Sequence, residues 1–476
     1  MTLRIYALTD SHQEARNLSK ILSGITNFEK EGGPFIVLDC GDLFKGIYNK
    51  DLSIDAYLKF KELNPNAPIF ITIGNNDFGF DDESFEYYKF AVKKLEKAGI
   101  NIVCANLKQG EKYSQLCSRY KILEINNKKI LITGFCLNTS VVKRFGFEFE
   151  NAQSALKNLV KDVKEKYDKL IILNHHWYPY SKALKDFATT QGIKIDLIIG
   201  GHEHSHILPD YKNNIYYPLA FARTLYKITL GNEIENIEEH KVGEFKLLSE
   251  FEEPLLKFEQ ETRLYKPIAK RVLNLWKRYS EPCALGTFIS DSMEKAANTD
   301  IAFHSTGFTM YPLSTDDSDI ITKYDFERVI CASTPIVKIE INTEQLKKVF
   351  ENATLQRMYK NNGNARFLQC SQNIKITGKG TPEDKTYKIL QIEINGEKLL
   401  DEYQRPISDK NFTCAVDAFI ASGEQGFNIL KDLEKTPILI NSQEAQLKKL
   451  LLESLIEAQN IYPAKSEYPT FEIIDL

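Results

Sequence analysis

Side chains able to bind metal ions are concentrated in short motifs of the first 210 residues. Six of the eight histidines lie there, together with aspartates and asparagines. Imidazole, carboxylate and amide oxygen suit divalent ions such as Mn, Fe, Zn, Co or Mg. Two such ions about 3.5–4 Å apart, bridged by a carboxylate, can activate water and hold both oxygens of a phosphoryl displacement. The residues of these motifs that could carry chemistry are, in chain order, Asp10, His12, Asp42, Asn75, Asn76, His175, His176, His202, His204 and His206, and the alternatives for His176 and His206 are loop packing and solvent exposure.

Short apolar segments precede these motifs and are typical of buried strands. The predicted strands span residues 3–8, 34–38, 68–73, 130–132, 170–173 and 196–199. Helical periodicity lies between them, at residues 14–22, 52–63, 84–98 and 152–166. This alternation predicts a layered α/β domain. Because open α/β sheets bind ligands at the carboxyl ends of their strands, we expect the motifs to meet there.

Length and composition limit the classes of protein to consider. The chain has 476 residues, enough for two or three domains, with 43% hydrophobic and 26% charged residues. The net charge of −4 argues against a nucleic-acid partner, which requires a basic face. We expect a cytoplasmic protein without a membrane partner, because neither a leader nor an apolar segment of about 20 residues is evident. The eight scattered cysteines are expected to be reduced.

The ordered motifs resemble those of the calcineurin-like metallophosphoesterases. The matching segments are Asp10-Ser11-His12, Gly41-Asp42, Gly74-Asn75, His175 and Gly201-His202-Glu203-His204. Residues 101–107 are similar to the "NxxxANL" segment of the 5′-nucleotidase branch, which includes 2′,3′-cyclic phosphodiesterases and nucleotide-sugar hydrolases. The resemblance implies a four-layer αββα domain with two divalent metal ions. It implies that one ion is held by Asp10, His12 and His204, the other by Asn75, His175 and His202, and that Asp42 bridges them.

One departure from the family pattern concerns the predicted catalytic residues, Asn76 and Asp42. The family has a histidine at position 76 and an aspartate three residues later, where this chain has Asn76 and Gly79. An amide can donate a hydrogen bond to an oxyanion but is not a general acid near neutral pH. We therefore expect slow hydrolysis, a preference for diesters or a need for a good leaving group. Asp77 and Asp81 are the alternative sources of the acid.

The second half resembles the α+β C-terminal domain of the 5′-nucleotidases. Residues 285–293, 341–347 and 419–427 carry this resemblance. The predicted domains are residues 1–242 and 279–476, joined by a helical connector at 243–278. The candidate substrate contacts are Phe427, Asn106 and Arg366. Met310 stands where the family has a phosphate-binding arginine, which predicts altered specificity.

Together these observations predict a two-metal phosphoester hydrolase. It would hydrolyse a nucleotide or a related small phosphomonoester or phosphodiester with metal-activated water, and its oligomeric state stays open. The alternative is a metal-binding, catalytically weakened protein of the same family that binds a ligand or assists assembly, as the residues at positions 76, 79 and 310 suggest. A nuclease is a third hypothesis, but no basic track supports it.

Overall fold

The structure is a computed structural model that describes residues 2–79, 81–139, 141–270, 282–309, 313, 320–330, 334–358, 367–381, 386–458 and 471–474. The chain divides into two compact units, Met1–Thr262 and Arg263–Leu476. Among the described residues, no helix combines the length and the apolar character needed to cross a lipid bilayer.

The first unit contains fourteen described strands and six described α-helices. The strands are β1 (Leu3–Leu8), β2 (Phe35–Asp39), β3 (Ile69–Thr72), β4 (Ile100–Val103), β5 (Leu107–Gln109), β6 (Lys112–Tyr113), β7 (Tyr120–Ile125), β8 (Lys128–Cys136), β9 (Phe147–Phe149), β10 (Lys169–His175), β11 (Leu197–Gly201), β12 (Ile215–Tyr216), β13 (Thr224–Leu230) and β14 (Ile234–Lys241). The helices are α1 (Ala15–Phe28), α2 (Lys50–Leu63), α3 (Asp82–Lys97), α4 (Ala152–Asp162), α5 (Tyr178–Thr190) and α6 (Ser249–Glu261).

Two sheets form the centre of this unit. One has the order β14-β13-β1-β2-β3-β4, and the other has the order β12-β11-β10-β8-β7. The strands β1 to β4 are parallel to one another, as are β8, β10, β11 and β12. The parallel pairs align the carboxyl ends of neighbouring strands at one edge of each sheet.

The two sheets pack against each other, and helices cover their outer faces. Ile5 and Ala7 of β1 share a core with Ile171 of β10, because alternate side chains of a strand point to the same face. Tyr6 points the other way and stacks on Phe28 of α1, with ring centroids 6.0 Å apart. Helices α4 and α5 cover the outer face of the second sheet. The predicted four-layer αββα arrangement is therefore confirmed.

The second unit contains thirteen described strands and six described α-helices. The strands are β15 (Pro267–Lys270), β16 (Ile301–Ser305), β17 (Ile320–Thr322), β18 (Ile336–Asn342), β19 (Leu368–Cys370), β20 (Ile374–Thr381), β21 (Thr386–Ile394), β22 (Glu397–Lys398), β23 (Asn411–Asp417), β24 (Thr436–Pro437), β25 (Leu439–Ile440), β26 (Gln443–Glu444) and β27 (Phe471–Ile474). The helices are α7 (Ala284–Ala297), α8 (Lys323–Val329), α9 (Thr343–Met358), α10 (Ala418–Ala421), α11 (Asn428–Lys431) and α12 (Leu447–Ala458).

A mixed five-stranded sheet separates two cores in the second unit. Its order is β19-β16-β23-β18-β24, and a four-stranded sheet has the order β22-β21-β20-β27. Phe303 of β16 packs with Phe350 of α9 on one face of the five-stranded sheet. Ala302 and Ala415 face the other way, toward α7 and α12. This is an α+β domain, as the sequence predicts.

The predicted helical connector at residues 243–278 contains two described elements of different kinds. Helix α6 lies in the first unit, where its Glu259 pairs with Arg16 of α1. Strand β15 is a departure from the helical prediction. Pro267 disfavours helical backbone at the preceding residue, and β15 pairs with β17 in an antiparallel ladder. Residues 271–281 lie outside the described part of the chain.

The cysteines that the structure describes are free thiols. All seven of these described cysteines are buried, and none of them forms a disulfide. The eighth, Cys331, lies outside the described residues. Burial raises the pKa of the Cys40 thiol well above its ordinary value, so this side chain is neutral at physiological pH.

Candidate metal centre

The candidate ligands gather at the carboxyl ends of five strands from both sheets of the first unit. Asp10 and His12 follow β1, Asp42 follows β2, Asn75 follows β3, His175 ends β10, and His202 and His204 follow β11. The backbone turns sharply at several of these positions. The φ angles are +46° at Asp10 and at His12, +54° at Asp42 and +71° at His202. Left-handed conformations are unusual for residues with a Cβ and concentrate at functional sites.

Two glycines permit the strand ends to approach one another. A Cβ at position 74 would lie 2.1 Å from Oδ1 of Asp42. A Cβ at position 201 would lie 2.6 Å from Oγ1 of Thr9 and 2.8 Å from Nδ1 of His175. A larger residue at either position would displace a candidate ligand or its loop. The Gly-Asn and Gly-His motifs therefore have a steric basis in this structure.

The first cluster consists of Asp10, His12, Asp42 and His204, whose ligand atoms all lie within 4.8 Å of one another. The Nε2 atoms of His12 and His204 are 3.1 Å apart. Nε2 of His12 lies 3.5 Å from Oδ2 of Asp42, and Nε2 of His204 lies 3.5 Å from Oδ1 of Asp10. Two imidazole nitrogens and two carboxylates thus converge on one point.

The second cluster consists of Asp42, His175 and His202. Nε2 of His175 lies 3.3 Å from Oδ2 of Asp42 and 3.1 Å from Oδ1 of Asn75. Nε2 of His202 is buried and has no hydrogen-bond partner. Because Asp42 belongs to both clusters, its carboxylate lies between two groups of candidate ligands.

The residues of both clusters fit divalent cations. A buried imidazole nitrogen without a partner is costly in an apoprotein, and a metal ion would satisfy Nε2 of His202. The set of imidazole, carboxylate and amide donors without a thiolate suits Mn, Fe, Zn, Co or Mg. Both clusters are candidate metal sites on these grounds.

Backbone carbonyls orient two of the imidazoles. Nδ1 of His175 donates to the carbonyl oxygen of Cys40 at 2.6 Å, and Nδ1 of His12 donates to that of Lys45 at 3.2 Å. In the neutral imidazoles that a metal ion requires, these bonds place the proton on Nδ1 and leave the lone pair of Nε2 facing the cluster. Such support by neighbouring groups is typical of metal-binding histidines.

Electrostatics at the centre favour a cation. Burial alone would raise the pKa of the Asp42 carboxyl, but the charge of His175 outweighs it and holds this pKa well below its usual range. Burial lowers the pKa of His12 to about 4, so its imidazole is neutral at pH 7. Burial also opposes protonation of His175, but Asp42 and Asp10 raise its pKa to about 10. The carboxylates therefore favour positive charge at the point where the clusters meet.

The predicted catalytic residue Asn76 contacts the shared carboxylate. Its backbone N–H donates to Oδ1 of Asp42 at 2.8 Å, and its Nδ2 donates to Oδ2 at 2.7 Å. Both oxygens of Asp42 are thus held by one residue. The neutral amide orients the carboxylate without bringing a charge of its own.

Asp77 holds the loops that carry Asp42 and Asn75. Its carboxylate is buried and accepts hydrogen bonds from the backbone N–H groups of Gly74 at 2.7 Å, Phe44 at 3.1 Å and Asp42 at 3.2 Å. Burial raises its pKa to about 7. These three bonds make Asp77 a positioning residue for the Asp42 loop.

Asp81 immediately precedes helix α3 and has no contact with the clusters among its described hydrogen bonds. Its carboxylate accepts from the backbone N–H of Ser84 at 2.7 Å. A carboxylate in this position caps the helix, which explains its local role. Both alternative acids considered from the sequence therefore bond to backbone N–H groups.

The three candidate substrate contacts lie in different surroundings. Asn106 is buried; its Nδ2 donates to the carbonyls of Cys136 and Glu150, and its Oδ1 accepts from the N–H of Cys136. Phe427 is 1% exposed in a core of the second unit. Arg366 lies outside the described residues, as does Met310. The first two placements are those of residues that hold the fold together.

The remaining histidines of the motifs lie outside the clusters. His176 stacks on Tyr180 with ring centroids 4.0 Å apart, and its Nδ1 accepts from the N–H of Trp177. His206 is exposed. His240, which belongs to none of the motifs, has its Nδ1 at 2.9 Å from Oε2 of Glu244.

Three residues at the centre were not anticipated from the sequence. The ring of Phe221 lies 5.2 Å from that of His12 and 4.9 Å from that of His204. Trp177 meets the ring of His202 edge-on at 4.4 Å. Nζ of Lys45 donates to Oδ1 of Asn76 at 3.1 Å. Phe221 carries no sequence signal, but Trp177 is two positions from the predicted ligand His175, and Lys45 is three positions from Asp42.

Comparisons with known proteins agree with this organisation. Residues 3–206 match the family described as calcineurin-like phosphoesterase, and residues 260–432 match the 5′-nucleotidase, C-terminal domain. An apyrase of Anopheles gambiae is 31% identical over 183 residues, which are 36% of this chain and 30% of the apyrase. The trifunctional nucleotide phosphoesterase protein YfkN of Bacillus subtilis (strain 168) is 22% identical over 90% of this chain and 32% of its own length. The matched part thus spans about a third of each relative.

Solved structures share the fold over the whole chain. A 5′-nucleotidase precursor from Thermus thermophilus has a TM-score of 0.76 at 16% identity and covers 100% of this chain and 99% of its own. A sulfate thiohydrolase from Thermus thermophilus, in complex with glycerol, has a TM-score of 0.74 at 13% identity and covers 99% of this chain and 96% of its own. Proteins named for different substrates therefore share this architecture.

Proposed function

Because the chain belongs to the calcineurin-like phosphoesterases that carry a 5′-nucleotidase C-terminal domain, we propose that it hydrolyses a nucleotide or a related small phosphoester with two divalent metal ions. The observation that carries the proposal is the position of Asp42 between the two clusters. A carboxylate shared in this way is suited to bridging a metal pair. The nucleotide class is supported by the names of the relatives and of the structural neighbour.

We assign one ion to Asp10, His12 and His204, and the other to Asn75, His175 and His202, with Asp42 shared. When bound, a metal pair activates water and stabilises the charge of a phosphoryl group. The backbone N–H of His202 donates to Oδ2 of Asp10 at 2.9 Å, so the loop after β11 holds a ligand from β1 in place. The protein's contribution is to fix this donor set before substrate binds.

Asn76 determines which leaving groups the proposed enzyme accepts. Its amide holds both oxygens of Asp42 and does not supply a proton to a departing oxygen at neutral pH. Departure then depends on the acidity of the leaving group itself. Aryl phosphates and activated diesters are the preferred test substrates for this reason.

The alternative of a catalytically weakened binding protein is not favoured. The described residues retain both ligand clusters, the matching family is described as calcineurin-like phosphoesterase, and one structural neighbour is a 5′-nucleotidase precursor. The asparagine at position 76, where the family has a histidine, alters the support of Asp42 but removes no candidate metal ligand. Turnover by the metal-loaded protein separates the two hypotheses.

With Mn²⁺ present, the experiment measures nitrophenol release from nitrophenyl phosphate and bis-nitrophenyl phosphate, phosphate release from adenosine 5′-monophosphate, and formation of the nucleoside monophosphate from a 2′,3′-cyclic nucleotide. His202→Ala removes a proposed ligand, and the matched control His206→Ala removes an exposed histidine from the same loop. We expect wild type and His206→Ala to turn over at least one ester and His202→Ala to fall close to background. Equal activity of His202→Ala and wild type, or no hydrolysis by wild type with metal bound, would contradict the proposal.

A further inference from the structure

Lys45 lies in the loop between β2 and α2 and contacts the metal centre through two different atoms. Its Nζ donates to Oδ1 of Asn76 at 3.1 Å. Its carbonyl oxygen accepts from Nδ1 of His12 at 3.2 Å. The same residue therefore supports a candidate ligand through its backbone and places an ammonium group beside Asn76.

We infer that Lys45 is a catalytic residue whose ammonium binds a phosphoryl oxygen of the substrate beside the metal pair. The inference rests on the proposed function and adds a binding group to that site. Two hydrogen bonds link the ammonium to the shared carboxylate, one from Nζ of Lys45 to Asn76 and one from Asn76 to Asp42.

The backbone conformation of Lys45 supports a functional role for its side chain. Its φ angle is +72°, a conformation that costs free energy in a residue with a Cβ and none in glycine. The loop is tightly fitted, because a Cβ on the next residue, Gly46, would lie 1.6 Å from the carbonyl oxygen of His12. The N–H of Gly46 also donates to Oε1 of Gln13 at 2.8 Å. A glycine at position 45 would satisfy this backbone, but it would leave out the ammonium.

The electrostatic setting agrees with an ammonium that acts on the centre. Nζ of Lys45 contacts Oδ1 of Asn76, and Nδ2 of the same amide contacts Oδ2 of Asp42. The side chain at position 76 is a neutral amide, so Lys45 supplies a positive charge at this place that Asn76 does not.

An ammonium at this place has a defined chemical use. A phosphoryl group carries negative charge on its equatorial oxygens, and fixed cations stabilise that charge in the transition state. Lysine serves as a point charge for phosphate. No proton is transferred in this role.

The test compares Lys45→Met with Lys50→Met, which removes a lysine at the start of α2 whose Nζ lies 4.0 Å from Glu83. Both proteins are loaded with Mn²⁺, and kcat/KM is measured on nitrophenyl phosphate and phenyl phosphate. We expect Lys45→Met to lose on the order of 10² in kcat/KM on both esters and Lys50→Met to match wild type. A loss no larger than that of Lys50→Met, or a markedly larger loss on phenyl phosphate, would overturn the assignment to a phosphoryl oxygen.

Binding of inorganic phosphate provides a readout that does not depend on turnover. Calorimetry with the Mn²⁺-loaded proteins should show that Lys45→Met weakens phosphate binding about 10- to 100-fold, with unchanged metal content. Lys45→Gly should lose the same affinity while its thermal midpoint stays equal to or above that of wild type, because the left-handed backbone suits glycine. Unchanged phosphate affinity overturns the inference. Absence of turnover in wild type contradicts the proposed function instead, and the phosphate measurement still decides the role of Lys45.

Discussion

Replacing Asp77 by asparagine should loosen the Asp42 loop and weaken metal binding. The new side chain would keep one oxygen and present an NH₂ group in place of the other. If the oxygen takes the place of Oδ2, the bonds from Gly74 and Asp42 survive and the N–H of Phe44 loses its acceptor. In the other orientation, two bonds are lost. One buried donor left without a partner costs about 1–3 kcal/mol, and we expect at least this loss in the free energy of unfolding.

The metal affinity of Asp77→Asn follows from the same bonds. Asp77 positions the backbone of Asp42, and substitutions of residues that support a ligand typically lower metal affinity about 10- to 100-fold. Denaturant unfolding of the apoprotein measures the stability, and Mn²⁺ titration measures the affinity. Asp81→Asn is the matched control, because asparagine caps a helix about as well as aspartate. If Asp77→Asn matches Asp81→Asn in both stability and Mn²⁺ affinity, the reasoning about the loop is wrong.

Three further predictions concern other parts of the molecule. Glu259→Gln should lower the free energy of unfolding by about 2–3 kcal/mol, since the buried carboxylate accepts hydrogen bonds from Nε of Arg16 and from the hydroxyl of Tyr48, both at 2.7 Å. Denaturant unfolding measures this loss, with Glu253→Gln at an exposed position of the same helix as the control. Equal stabilities of the two variants would refute the prediction. Burial lowers the pKa of His304 to about 3 from an ordinary 6.5, so the unfolded chain takes up the proton first as pH falls, and stability is lost below pH 6.5. The loss is about 2 kcal/mol between pH 7 and pH 5. His304→Gln should reduce the pH dependence of the free energy of unfolding by that amount, and an unchanged pH dependence would contradict the prediction. Gly74→Ala should abolish Mn²⁺ binding, because its Cβ would collide with Asp42, and wild-type affinity in a titration would disprove the steric argument.

Much of the first unit could be predicted because its signals are local. An apolar segment such as residues 3–8 is long enough for one buried strand, and the structure has β1 at Leu3–Leu8. The ligand candidates lie directly after such segments, and parallel pairing brings the carboxyl ends of β1, β2 and β3 to one edge. Residues 170–173 and 196–199 likewise correspond to β10 and β11, which are each somewhat longer.

The parts that could not be predicted depend on contacts between distant segments. Phe221 lies against His12 and His204 only because the chain returns from the second sheet to the first, and no motif marks it. In the sequence, nothing distinguishes Lys45 from other lysines in loops. Its proposed role depends on the position of Asn76, which its ammonium contacts. Strand β15 forms because β17 offers a partner, although the surrounding sequence has a helical pattern. Tertiary pairing overrode local preference in this last case.

The proposed function depends above all on two metal ions sharing the Asp42 carboxylate. Anomalous X-ray diffraction from crystals of the Mn²⁺-loaded protein, recorded at the manganese edge, tests it directly. We expect two manganese peaks in the first unit, one beside His12 and His204 and the other beside His175 and His202, with the Asp42 carboxylate contacting both. A single peak, or two peaks of which only one contacts Asp42, would contradict it.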